Sequence, residues 1–161
     1  MPNNHLAEDS TPLILTTNIP LRELEPLTEP FNHHAYFINR PGLQVVGLAP
    51  LLRTEEIKGP APSALLGHYD LDVRRHMSHV AQGVRPQHAS ELWHLARLLD
   101  AQTYGEDGWI KYNYPNVFVF SSGLAWVHGD LRGYWGVDGI SENEDVVWER
   151  GTRIHLCVPG P

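Results

Sequence analysis

The stretch NVFVFSSGLAWVHGD, residues 116–130, carries the clearest β-sheet pattern in this sequence. Its two β-rich runs, residues 116–122 and 124–130, are joined at Ser122-Gly123, a combination typical of hairpin turns. The run NVFVF is apolar on both faces, as expected for a strand that is covered on both sides. We therefore expect a β-hairpin whose first strand lies in the centre of a sheet.

Two later runs are predicted to be further strands: DVVWE at residues 145–149 and TRIHLCVP at residues 152–159. In the second run, alternation places Ile154, Leu156 and Val158 on one face and Arg153, His155 and Cys157 on the other. His155 and Cys157 could therefore touch. A reactive Cys–His pair needs an oxyanion hole and an orienting group, and nothing nearby in the sequence supplies them. A structural cysteine is the preferred interpretation.

Two helices are predicted before the hairpin. Ser63 can cap a helix that runs to about residue 82, because apolar residues recur there at helical spacing: Leu66, Tyr69, Val73, Met77 and Val80. A second helix is expected in HASELWHLARLLDAQ, residues 88–102, with His94 turned towards solvent and a buried face formed by Ala89, Leu92, Trp93, Ala96 and Leu99. The short link QGVRPQ between them indicates a helical hairpin.

The N-terminal part of the chain shows weaker patterns. Residues 1–30 contain five prolines and are interpreted as an extended arm, in which LILTT, residues 13–17, could form a short strand. HHAYFINRPGLQVVGLAP, residues 33–50, is predicted to be a β-hairpin that turns at Pro41-Gly42. The predicted fold class is α+β: the arm is followed by a single domain over residues 31–161. That domain is a mainly antiparallel sheet with the helical hairpin packed on one face.

Composition narrows the possible functions. The net charge is −7 and the sequence has no basic run, so binding to nucleic acid is not expected. No apolar run approaches the ~20 residues that span a bilayer, and the N-terminus does not resemble a secretory signal. The single cysteine, Cys157, excludes an internal disulfide framework. We expect a cytoplasmic protein.

One stretch, GHYDLDVRRHMSHVAQG at residues 67–83, suggests a metal site. On the predicted helix its polar residues would share one narrow stripe: His68, Asp72, His76 and His79. Imidazole and carboxylate ligands suit Zn²⁺ or another divalent first-row metal. A single helix rarely completes a site, so a second element would have to contribute; the sequence does not identify it, and His33, His34, His88 and His128 are the candidates. The alternative is that these residues form the solvated flank of an ordinary helix.

A group of aromatic residues suggests a binding face: Trp109, Tyr112, Tyr114, Tyr134 and Trp135. The alternative is that they fill the core and the loop ends of the sheet. The sequence also contains no GxSxG, GxGxxG or Walker loop. We therefore favour a non-catalytic acidic module for protein binding or assembly, such as an accessory subunit, an inhibitor of the immunity type or a protein of a virus or mobile element. It would contact a protein partner or another copy through its arm and aromatic surface, with no cofactor. The alternative is a metal-dependent enzyme, such as a hydrolase, with the His/Asp site.

Overall fold

A computed structural model of the chain describes residues 19–48, 57–102, 107–130, 134–141 and 143–159. The strands in this part of the chain are β1 (Leu21–Leu24), β2 (Phe31–Asn32), β3 (Leu43–Val46), β4 (Ile57–Lys58), β5 (Ala64–Asp70), β6 (Arg75–His76), β7 (Asn116–Phe120), β8 (Gly123–Gly129), β9 (Trp135–Ile140), β10 (Val147–Trp148) and β11 (Arg153–Val158). The helices are α1 (His33–Asn39), α2 (Met77–His88) and α3 (Leu92–Ala101).

Seven of these strands form one sheet in the order β1-β5-β11-β7-β8-β9-β3. The pairs β11/β7 and β3/β9 are parallel, and the other four pairs are antiparallel. The predicted mixed class with a mainly antiparallel sheet is therefore confirmed. The hairpin at residues 116–130 is also confirmed, since β7 and β8 pair from Asn116 with Val127 to Phe120 with Gly123.

Strand β7 is buried over its whole length, and its two faces belong to different apolar clusters. Val117 and Val119 pack in one cluster with Met77, Val80 and Val84 of α2. The alternate residues Phe118 and Phe120 pack in the other cluster, which contains the buried face of α3. Because successive side chains of a strand point to opposite faces, α2 and α3 must lie on opposite sides of the sheet.

The prediction of a helical hairpin on one face is therefore wrong. The connection after α2 passes the end of β7, where the Ser90 N–H donates to the Val119 carbonyl at 2.8 Å. The Arg85 Nε donates to the Phe120 carbonyl at 3.0 Å and fixes α2 to the same strand end. The short link between α2 and α3 therefore leads the chain past the end of β7, from one face of the sheet to the other. As a result, each face of β7 is covered by one helix.

The helix predicted from Ser63 to about residue 82 is also wrong. Residues 64–70 form β5, which pairs with β1 on one side and with β11 on the other. Helix α2 begins only at Met77, where the His76 side chain accepts a hydrogen bond from the Ser78 N–H. The helical spacing was misleading because its apolar residues belong partly to strand β5 and partly to the first turn of α2.

The hairpin predicted at residues 33–50 is replaced by a helix followed by a strand. The Asn32 side chain accepts a hydrogen bond from the Ala35 N–H at 2.8 Å and caps α1, whose Phe37 is buried. After the turn at residues 40–42, the chain enters β3, which pairs with β9 rather than with residues 33–39. A side-chain cap therefore outweighs the alternation that suggested a strand.

The second part of the predicted arm contributes to the sheet. Residues 21–24 form the edge strand β1, between Pro20 and Pro26, and Leu24 and Leu27 are buried. An edge position is where a sheet tolerates neighbouring prolines. Residues 1–18, which include LILTT, lie outside the described residues.

We predict that Gly139→Ala lowers the free energy of unfolding by about 1–3 kcal/mol, the usual cost of overpacking a core. A Cβ at Gly139 in β9 would collide with the carbonyl oxygen of Gly47, so β3 would have to move away from β9. The control is Gly59→Ala, because nothing lies within 4 Å of a Cβ at Gly59. Urea unfolding of the three proteins measures the effect, and equal stability of both variants would contradict this packing.

Candidate functional site

The four predicted metal ligands do not share a helix face. His68 lies in β5, Asp72 follows that strand, His76 is the residue before α2, and His79 lies within α2. The helical geometry that aligned them therefore does not exist. In the described part of the chain, no three or more His, Cys, Asp or Glu residues are grouped to hold a metal ion, and this includes the proposed contributors His33, His34, His88 and His128.

His68 instead takes part in a cluster of buried polar residues. It is paired across the sheet with His155 of β11, and the two ring centroids are 5.9 Å apart. The His68 and Trp109 rings are nearly perpendicular with centroids 4.4 Å apart, and the His155 ring is stacked on Phe118 with centroids 4.2 Å apart. Alternation in β11 was predicted correctly, and it places His155 on the same face as Cys157.

Asn116 fixes the protonation of His155. The Asn116 side chain donates to the carbonyls of Lys111, Tyr114 and Val127, and its Oδ1 accepts the Lys111 N–H at 2.8 Å. Because Oδ1 is an acceptor, the His155 Nε2 that lies 3.1 Å from it must carry the proton and donate. The His155 Nδ1 is then an unprotonated nitrogen that is buried and has no hydrogen-bond partner among the described residues.

An ion-pair network closes the solvent side of this cluster. Arg153 donates to both carboxylate oxygens of Asp70, at 2.8 and 3.2 Å, and Lys111 donates to Asp70 at 3.3 Å. Burial alone would raise the pKa of Asp70, but the hydrogen bonds and charges of Arg153 and Lys111 lower it overall. Arg153 also donates to the carbonyls of Gly108 and Trp109, so the network fixes the loop that covers His68.

Three histidines are held neutral by burial. Burial lowers the pKa of His68 to about 4, with a smaller contribution from the Arg153 charge, and it lowers the pKa of His155 well below its ordinary value. Burial also lowers the pKa of His94 to about 4, although the Glu91 charge opposes this shift. The prediction that His94 faces solvent is wrong, because its Nδ1 accepts the Glu91 N–H at 3.0 Å and its ring lies against Trp93.

We predict that the free energy of unfolding falls as the pH is lowered from about 7 to about 4.5. In the unfolded chain these histidines have a pKa near 6.5, whereas in the native protein their pKa is lower. The unfolded state therefore binds more protons in this range, and acid favours it. The variant His68→Phe keeps a ring against Trp109 and should give a shallower pH profile. His34→Gln, at an exposed position, is the control. A parent profile that is flat over this range would contradict the assignment.

A second polar arrangement lies at the start of α2, and sequence patterns gave no sign of it. The His76 Nε2 is 2.7 Å from the Asp145 Oδ1, and the His76 Nδ1 is 2.8 Å from the Ser78 Oγ. Asp145 opens the run DVVWE that was predicted as a strand, but the structure places it before β10 (Val147–Trp148). The pairing of β10 with β6, Val147 with His76, brings this segment to the helix start.

The predicted aromatic face is divided between the interior and the surface. Trp135 is buried and its Nε1 donates to the Gln102 carbonyl, while Tyr112 packs on Trp135 and donates to the Asp130 carbonyl. Trp109 packs on His68. Tyr114 is exposed with Lys111 above its ring, and Tyr134 is exposed at the start of β9. These residues therefore do not form one continuous face.

The two edges of the seven-stranded sheet differ in character. The β1 edge carries the charged residues Arg22 and Glu23, whereas the β3 edge, Leu43–Val46, carries no charge. Val46 is 56% exposed, and the exposed ring of Tyr134 lies beside Gly42, directly before β3. Beyond β9, β3 has no strand partner among the described residues. Within the described ranges, the outer edge of β3 therefore offers backbone N–H and C=O groups that no second strand pairs with.

Comparisons with known proteins do not place this chain in a family: no protein-family model, curated protein or solved structure matches it. Within the described ranges, no helix has the length and apolar character needed to cross a membrane. The geometry of the chain itself is therefore the basis for assigning a function.

Proposed function

We propose that this protein is an assembly module whose described contact surface is the β3 edge, and that the partner on this edge is a second copy of the chain. The observation that carries the proposal is the contrast between the two sheet edges. Natural edge strands are usually protected from pairing by charged residues, prolines or covering segments. Strand β1 carries such charges, while β3 presents the sequence LQVV without any.

The charges around β3 favour contact between like copies. A protein with a net charge of −7 repels itself unless the contact surface is locally neutral. Two described carboxylates near β3 contact nitrogen atoms of other side chains. Asp100 lies 2.7 Å from Arg40, and Asp138, opposite Val46 in β9, lies 3.3 Å from His128. Among the described residues, the Arg40 guanidinium thus neutralises Asp100, which lowers the repulsion between two copies that meet at this edge.

The strand is also compatible with a symmetric pair. In a twofold contact, antiparallel strands must set residues of the same face opposite each other. An axis at Val45 satisfies this condition, since Gln44 then lies opposite Val46 of the second copy. An axis at Gln44 satisfies it as well. Either arrangement joins two seven-stranded sheets into one and adds backbone hydrogen bonds across the contact. This contact requires no metal or other cofactor.

We predict that the parent protein is a dimer in analytical ultracentrifugation at micromolar concentrations and that Gln44→Lys/Val46→Lys is a monomer. The double variant sets lysines against each other in both registers, and repulsion across paired strands opposes association. The matched control is Leu21→Lys/Glu23→Lys, which changes two exposed positions of the β1 edge and should stay dimeric.

A parent protein that is monomeric over this range would overturn the proposal, as would a β3 variant that remains dimeric. A variant that lacks residues 1–18 distinguishes a contact through the β3 edge from a contact through the predicted N-terminal arm. If only this deletion yields monomers, the arm forms the contact and the β3 edge does not.

A further inference from the structure

His76 lies between a carboxylate and a serine hydroxyl, outside the proposed contact surface. The Asp145 Oδ1 is 2.7 Å from the His76 Nε2, and the Ser78 Oγ is 2.8 Å from the His76 Nδ1. The same Nδ1 is 3.1 Å from the backbone N–H of Ser78. A carboxylate, an imidazole and a hydroxyl linked in this order are the groups that activate a nucleophilic serine.

The hydrogen bonds define where the protons are. The Ser78 backbone N–H can only donate, so the His76 Nδ1 must be the unprotonated nitrogen. The proton of the neutral ring is then on Nε2 and is donated to the Asp145 carboxylate. The Ser78 hydroxyl therefore donates to Nδ1, which is the direction that general-base activation requires. Compared with serine proteases, the two ring nitrogens have exchanged roles.

The fold holds these three groups in place through several contacts. The pairing of β6 with β10 positions His76 beside the segment that contains Asp145, and the Met77 N–H donates to the Val146 carbonyl at 2.8 Å. Ser78 is the second residue of α2. His79 is the third residue, and its N–H belongs to the first turn, where backbone N–H groups have no acceptor within the helix. It follows the serine directly, a position from which backbone N–H groups stabilise oxyanions.

We propose that Ser78 is a nucleophile that accepts acyl groups from small, activated acyl esters. The Ser78 Oγ forms a bond to the ester carbonyl carbon while its proton moves to the His76 Nδ1. The bond between that carbon and the leaving oxygen then breaks, and the leaving group departs with the electron pair as an alkoxide or phenolate. The product is an acyl ester of Ser78. The protonated His76 then releases this proton to the departed leaving group or to solvent, so Nδ1 is again a base. Water attacks the acyl carbon while one of its protons moves to Nδ1; the bond between that carbon and the Ser78 Oγ breaks, Oγ takes the proton from Nδ1, and the carboxylic acid leaves.

The exposure of the group defines the substrate class. The Asp145 side chain is 94% exposed and Ser78 is exposed, so solvent screens the carboxylate and bulky acyl chains would gain little binding. An acyl donor with a good leaving group releases that group without prior protonation. Small esters of phenols meet both conditions. This activity is independent of the proposed assembly, because its residues lie outside β3.

The probe is p-nitrophenyl acetate, with nitrophenolate release followed by absorbance and the acetylated residue mapped by peptide mass spectrometry. The parent should carry acetyl on Ser78. Ser78→Ala and His76→Asn should lower the rate of nitrophenolate release at least about tenfold, the lower range of general-base catalysis. His76→Asn keeps a side chain that caps α2, so loss of folding does not explain its effect.

Ser141→Ala is the matched control, since Ser141 is an exposed serine whose Oγ accepts only the Asn143 N–H among the described residues. Its rate should equal that of the parent. Ser78→Cys should restore labelling at position 78, because a thiol replaces the hydroxyl as nucleophile. Absence of acetyl on Ser78, or an equal rate in the parent and in His76→Asn, would overturn the proposal.

Discussion

The burial of β7 on both faces is the constraint on which the rest of this structure depends. Val117 and Val119 need one apolar cover and Phe118 and Phe120 need another, so a single helical layer cannot bury the strand. The chain meets this requirement with α2 on one face and with α3 on the other. The short connection around Ser90, hydrogen bonded to the end of β7, follows directly from that arrangement.

The same strand organises the buried polar groups. Asn116, its first residue, accepts or donates hydrogen bonds with Lys111, Tyr114, Val127 and His155. These contacts satisfy the backbone of the preceding loop, which a buried segment requires. The histidine pair and the Asp70–Arg153 ion pair continue the network towards solvent. The network therefore joins the sheet, the loop and the surface, and its neutral histidines make it sensitive to acid.

Local patterns predicted the parts of the fold that local interactions decide. The β7–β8 hairpin was visible in its turn residues, and α3 was visible because Leu92, Trp93, Ala96 and Leu99 recur at helical spacing and are buried. The prediction for residues 63–82 failed because β5 is stabilised by β1 and β11, which lie far away in sequence. A spacing compatible with a helix cannot reveal that a strand lies on either side.

The candidate sites show the same limit. The aromatic residues and histidines were identified by type, but their burial depended on contacts that a sequence pattern does not contain. His76 and Asp145 are 69 residues apart and meet only through the β6–β10 pair. The uncharged β3 edge was equally hidden, because residues 33–50 alone suggested a hairpin in which β3 would pair with its neighbour.

The most direct test of the central arrangement is the distance between α2 and α3. Spin labels at cysteines replacing Gln82 and Ala101, in a Cys157→Ser background, allow this distance to be measured by double electron–electron resonance. Helices on opposite faces are separated by two layer spacings, on the order of 20 Å between axes, so the label distance should exceed about 25 Å. A distribution centred below about 20 Å would place both helices on one face, since packed neighbouring helices lie about 8–10 Å apart. That result would contradict the burial of β7 between two helical layers.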